Sequence, residues 1–248
     1  MVEIENEVKR KYKYDAFISY RHVEPDQSIA KQVHQMIETF KPPKEFYEDG
    51  KKPTFRVFRD REELAARDLG ASIEEALETS RYLIVICSKR TPLSDWCQKE
   101  IETFKSLHGD ERIIPVLIEG EPDESFPQAL KELKRGDNES LQDVLAADIR
   151  PDEILQSDFS GYENLQNNNI SKLKELAKKS LNILKTEKYR IMATILGCSF
   201  GDLKQRDKER KNRLIPLQSQ PQSDSLLLQI ERQRLSWSHL QWHFLILR

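Results

Sequence analysis

The sequence predicts an α/β fold: a doubly wound parallel sheet followed by an α-helical extension. Three observations carry that expectation. Short apolar runs at 14–20, 55–58, 82–87 and 113–118 alternate with stretches whose apolar residues recur every three or four positions. One of the runs, Leu83-Ile84-Val85-Ile86-Cys87, is apolar at every position, as a central parallel strand covered on both faces must be. The segment 170–212 then carries the helical period alone. Strands and helices alternating at this length form parallel sheets with right-handed crossovers.

The first strand, Tyr14-Asp15-Ala16-Phe17-Ile18-Ser19-Tyr20, stops in the polar pair Arg21-His22. Ile29, Val33, Met36, Ile37 and Phe40 share one helical face, and Pro42-Pro43 ends that helix because proline cannot continue one. The second strand, from Phe55, runs into the charged loop Arg59-Asp60-Arg61-Glu62-Glu63-Leu64. A short helix over 71–79 buries Ile73, Ala76 and Leu77 and feeds the strand at 82–87. Ser94 or Asp95 caps the next helix, over 96–107, whose Ile101, Phe104 and Leu107 lie on one side; the strand at 113–118 follows. Beyond Gly120 come a turn at Glu121-Pro122-Asp123, a helix over 126–133 and a short edge strand at 145–148. Leu173, Leu176, Ala177, Leu181 and Leu184, then Tyr189, Met192, Ile195 and Leu196, mark helix that Gly197 ends and Phe200 restarts. The expected divisions are an N-terminal arm at 1–11, the α/β domain at 12–150, the helical extension at 151–214 and an atypical tail at 215–248.

Composition excludes several classes. With 33% charged residues, a net charge of -2 and a mean hydropathy of -0.69, the chain lacks the basic excess of a protein that binds nucleic acid specifically. Residues 1–7 lack the apolar core of a secretory signal, which places the expected site of action in the cytoplasm. Cys87, Cys97 and Cys198 are too few and too scattered for a disulfide framework or a zinc site, and the five histidines have no metal-binding spacing, so no metal is expected. Neither a Gly-x-Gly-x-x-Gly turn nor a Walker-type phosphate loop occurs. The basic stretch at 204–213 is diluted by Asp207 and Glu209 and reads as a solvated helix face. No lysine follows Lys211, and the apolar run at 235–247 falls short of the roughly 20 residues a membrane span needs. That tail is open to three readings: an interfacial membrane anchor, a dimerising helix or an out-of-frame remnant.

Three blocks in this order, 14–22, 55–64 and Ser94-Asp95-Trp96-Cys97-Gln98-Lys99-Glu100, resemble the three sequence boxes of the Toll/interleukin-1 receptor (TIR) domain family, most closely its bacterial branch. The block Arg81-Tyr82-Leu83-Ile84-Val85-Ile86-Cys87-Ser88 reinforces the likeness, which runs from about 12 to 120 and extends toward 150. The resemblance implies a flavodoxin-like strand order. It also implies work in signalling or defence through self-association with other TIR domains, with Arg59, Asp60, Arg61, Glu62, Glu63 and Leu64 as the interface candidates. Some TIR domains cleave NAD between nicotinamide and ribose, so NAD is the implied substrate and no separate cofactor is required. Breaking that bond passes through an oxocarbenium-like ribose, which a nearby carboxylate stabilises, as in glycoside hydrolysis.

The resemblance puts that carboxylate on the short helix between the second and third strands. Counting back from Ile73, its position falls on Ala71, and Glu74 or Glu75, one turn on, remain as the catalytic candidates. The plainer reading of Glu74, Glu75 and Glu78 is the wet face of an amphipathic helix. Ser19, Arg21 and His22 at the first strand's end, with Trp96 walling the pocket near Glu100, are the nucleotide-binding candidates. Two further readings stand beside the enzyme: a non-catalytic scaffold, and an adaptor that senses a nucleotide without consuming it.

Overall fold

The computed structural model describes residues 12–47, 50–59, 69–133, 147–151 and 170–214. Five parallel strands form one sheet in the order β2-β1-β3-β4-β5, comprising β1 (Tyr14–Ser19), β2 (Val57–Phe58), β3 (Ser80–Cys87), β4 (Ile113–Leu117) and β5 (Ala147–Asp148). This is the flavodoxin-like order that the resemblance implied. The helices are α1 (Asp26–Glu38), α2 (Leu69–Glu78), α3 (Asp95–His108), α4 (Pro122–Ser125), α5 (Gln128–Lys131), α6 (Ile170–Leu196) and α7 (Phe200–Leu214).

Strand periodicity sorts the core into two layers. Ala16, Ile18, Ile84, Ile86, Ile114 and Val116 face one side, where Ile29, Val33 and Ile37 of α1 and Leu184, Met192 and Ile195 of α6 cover them. Phe17, Leu83, Val85, Cys87, Ile113 and Leu117 face the other, under Ile73 and Leu77 of α2, Ile101 and Phe104 of α3 and Leu130 of α5. Alternate residues of β3 thus serve opposite layers, which is why its whole run must be apolar. Cys87 is a fully buried strand residue of the second layer.

Four details differ from the expectation. The second strand is only Val57–Phe58, because β1 pairs with it at two positions, Ala16 with Val57 and Phe17 with Phe58. The third strand begins earlier, at Ser80, whose hydroxyl donates back to the Ala76 carbonyl at 2.6 Å and carries the chain directly out of α2. The helix expected at 126–133 is the single turn α5, preceded by Phe126-Pro127, where the Phe126 ring fills the core, and another single turn, α4, stands at the expected turn. The edge strand is described only at Ala147–Asp148.

Ser94 is the residue that caps α3, accepting from the Cys97 amide at 3.4 Å. Gly197 follows α6 at φ +67°, the left-handed geometry that ends a helix. Contacts divide the chain at Arg206 and Asp207. In the described part of the second unit, Asp207 pairs with Arg210 and with Lys211, so the acidic residue that dilutes the basic stretch is neutralised within its own helix. Among the described residues, no helix is long and apolar enough to cross a membrane.

Candidate functional site at the carboxyl ends of the strands

A parallel sheet delivers side chains and loops at its carboxyl edge, and here β1 ends in a cavity of about 300 Å³. The loop after β1 supplies Tyr20, Arg21, His22 and Val23 to its wall; α2 supplies Ile73, and the start of α3 supplies Ser94, Trp96 and Glu100. Trp96 and Glu100 stand four residues apart on α3 and so share one face. Trp96 is 56% exposed, with Lys99 Nζ 6.0 Å from the centre of its ring.

The last residue of β1 reaches Glu100 from beneath. Ser19, 1% exposed, donates its hydroxyl proton to Glu100 Oε2 at 2.6 Å. Short hydrogen bonds from a hydroxyl to a carboxylate are strong and directional, so this bond fixes the carboxylate's orientation at the cavity. Tyr20 and His22 lie ring against ring at 4.9 Å, and Arg59 Nη1 donates to the Tyr20 hydroxyl at 3.5 Å.

Behind this wall lies a buried polar cluster. Arg21 Nη1 donates to the Arg90 carbonyl at 3.1 Å, and Arg90 Nη2 donates to the Glu24 carbonyl at 3.0 Å. Arg90 is 6% exposed and does not line the cavity, yet it ties both ends of the loop from Arg21 to Glu24 to the segment after β3. Beside it, Asp26 Oδ2 accepts the Ser88 hydroxyl at 2.9 Å, while Asp26 Oδ1 is buried without a hydrogen bond. Burial pushes the Asp26 carboxyl up to about 7, against the Ser88 hydrogen bond and the Arg90 charge, which pull it down.

Of the sequence candidates, Arg21, His22 and Trp96 come together at the cavity with Ser19 beneath. Glu74 and Glu75 do not. Both are exposed on α2, and Glu75 Oε1 lies 4.0 Å from Lys13 Nζ, just before the start of β1 and hence toward the opposite edge of the sheet. The reason is angular: successive side chains on a helix are rotated by about 100°, so with Ile73 buried on the cavity side, Glu74 and Glu75 project toward solvent. Ala71 falls within α2. Glu100, missed as a site residue, had a readable signal in its spacing from Trp96 directly after a helix cap. Cys97 is buried, and burial first and the Glu100 charge second push its thiol up to about 11, which removes it as a nucleophile. Arg59 is half-buried beside Tyr20, whereas Asp60, Arg61, Glu62, Glu63 and Leu64 lie outside the described residues. Among the described residues, no three His, Cys, Asp or Glu side chains are grouped to hold a metal ion.

A family model described as "TIR domain" matches residues 44–156. A curated bacterial protein, "NAD(+) hydrolase ApTIR" of Actinoplanes sp., is 33% identical over 110 residues, which are 44% of this chain and 14% of that protein. The chain therefore spans about one seventh of the length of that relative. Two solved structures are also similar. A metazoan TIR-STING receptor from C. gigas has 20% identity and a TM-score of 0.38, covering 50% of this chain and 37% of its own. The TIR domains of the activated Roq1 resistosome recognising the effector XopQ have 16% identity and a TM-score of 0.36, covering 70% and 84%. The matched segment contains β2 to β5, and β1, although outside it, pairs with matched strands on both sides. The segment 44–156 thus resembles a Toll/interleukin-1 receptor (TIR) domain.

Proposed function

We propose that this chain is a cytoplasmic signalling or defence protein that self-associates through TIR surfaces and cleaves the nicotinamide–ribose bond of NAD at the Glu100 cavity. The observation that carries the proposal is the Glu100 carboxylate, held by Ser19 at 2.6 Å in a cavity that is also lined by a guanidinium and an indole. The name of the Actinoplanes relative supports NAD as the substrate. The division into a TIR domain at 12–150, a helical extension and a tail belongs to the same proposal.

The chemistry suits these groups. When the bond between the ribose C1′ and the pyridinium nitrogen breaks, its electron pair leaves with nicotinamide, and positive charge passes to the ribose. Glu100 stabilises that charge electrostatically, and its fixed orientation means that little reorganisation is needed as the charge forms. Water then adds at C1′ and releases a proton, or an internal nucleophile closes a ring. Trp96 offers a face on which an aromatic ring stacks, and Arg21 offers a fork for phosphate. A cavity of about 300 Å³ is at the small end for ligand sites and suits one nucleoside rather than a dinucleotide. The adenylate half then lies outside it, where a second TIR domain closes the site.

The test is nicotinamide release, followed by chromatography across a range of protein concentrations. Release should rise more than proportionally with concentration, vanish in Glu100→Gln and persist in the double variant Glu74→Ala, Glu75→Ala. Absence of release from folded, assembled protein would leave the scaffold or sensor reading, and release surviving in Glu100→Gln would remove that residue from the chemistry.

A further inference from the structure

A larger cavity, of about 710 Å³, lies at the opposite edge of the sheet. It is bounded by the residues that enter β1, by Arg81 at the start of β3, by the loop that leads to β2 and by the end of α6. The six residues of β1 separate it from the Glu100 cavity, about 20 Å of extended chain. The two cavities share no lining residue.

Its wall is basic and aromatic together. Among the described residues that line it, Lys13, Lys51, Lys52, Arg56 and Arg81 face two carboxylates, Asp15 and Glu45. Asp15 is committed to the backbone, accepting from the Arg56 amide at 2.8 Å. Lys13 has Glu75 at 4.0 Å. Among the described residues, the side chains of Lys51, Lys52, Arg56 and Arg81 make no ion pair and no hydrogen bond. Cations gathered around one concavity repel one another, which a bound anion relieves.

Arg56 is also pre-placed. Its guanidinium lies over the Tyr14 ring, 5.7 Å from the centre, and a guanidinium seated on a ring keeps its N–H fork available for an anion. Among the described residues no carboxylate pairs with this guanidinium, and the phosphate of a ligand fits it. Phe46 and Tyr47 are half-buried in the same wall and contact no other ring among the described residues, while the buried Phe55 forms the floor. The volume lies within the range of small-molecule sites.

From these observations we infer that this cavity binds a nucleoside monophosphate, its phosphate among Arg56, Lys51 and Lys52 and its base against Phe46 and Tyr47. The site is separate from the proposed NAD-cleaving cavity. Its occupation does not depend on that activity.

The test is calorimetric titration of the full chain with AMP, with adenosine and with inorganic phosphate as separate probes. AMP should bind more tightly than either fragment. The double variant Lys52→Ala, Arg56→Ala truncates two exposed side chains and should weaken AMP at least about tenfold with the melting temperature little changed. Arg21→Ala, in the other cavity, should leave AMP binding intact. The inference is overturned if AMP does not bind, if phosphate alone binds as tightly as AMP, if a single-stranded oligonucleotide binds far more tightly than AMP, or if Arg21→Ala rather than the double variant abolishes binding.

Discussion

Asp26→Asn isolates the cost of a buried carboxylate. The Asp26 side chain is fully buried, has one hydrogen bond from Ser88, and titrates at about 7 rather than its usual 3.8. The folded state therefore holds this proton more tightly than the unfolded state does. Stability from this group is fully present below about pH 4 and is lost as pH rises to about 7, beyond which the loss is complete. At about 1.4 kcal/mol per unit, roughly 3 kcal/mol disappears between about pH 4.5 and 8. Asparagine has nearly the same shape, keeps an acceptor for the Ser88 hydroxyl and does not titrate. Urea unfolding of both proteins, followed by circular dichroism at several pH values, gives two stability curves; their difference removes every other titrating group. That difference should move by about 3 kcal/mol in favour of the variant as pH rises from about 4.5 to 8. A difference independent of pH, or one that favours the wild type as pH rises, would refute the reasoning.

Arg90→Lys retains the charge but loses the fork that reaches Glu24, so the loop carrying four cavity residues loosens. KM for NAD should rise several-fold with kcat little changed, and an unchanged KM would show that Arg90 only supports the fold. Thiol titration at about pH 8 should detect one slow-reacting cysteine in the native protein and three after unfolding. Cys87 and Cys97 are buried with thiols pushed up by burial, whereas Cys198 is half-buried, and Cys198→Ser should abolish the native reaction.

Much of the sheet was legible because its physics is local. The five apolar residues 83–87 permit only a strand covered on both sides, and Ile29, Val33 and Ile37 permit only a helix against one of those sides. The parts that misled depend on direction and distance. Glu74 and Glu75 lie on the expected helix, but on its exposed face, turned away from the side on which Ile73 meets the cavity. Glu100 had its spacing from Trp96 as a signal, but the hydrogen bond from Ser19, 81 positions earlier, had none. The Asp26 and Ser88 pair, 62 positions apart, has no sequence pattern at all. Likewise, the α6 periodicity shows an apolar face without showing that it packs on α1 and β5.

The position of β1 bears on how the protein can be handled. It stands between β2 and β3, yet it precedes the segment that the family model matches. An expression fragment trimmed to 44–156 would remove the strand that joins them, leave β2 and β3 with unpaired edges and strip the α1 cover from Ile84 and Ile86. Open strand edges beside bare apolar surface recruit other chains. Such a fragment would precipitate, and its inactivity would say nothing about the intact chain.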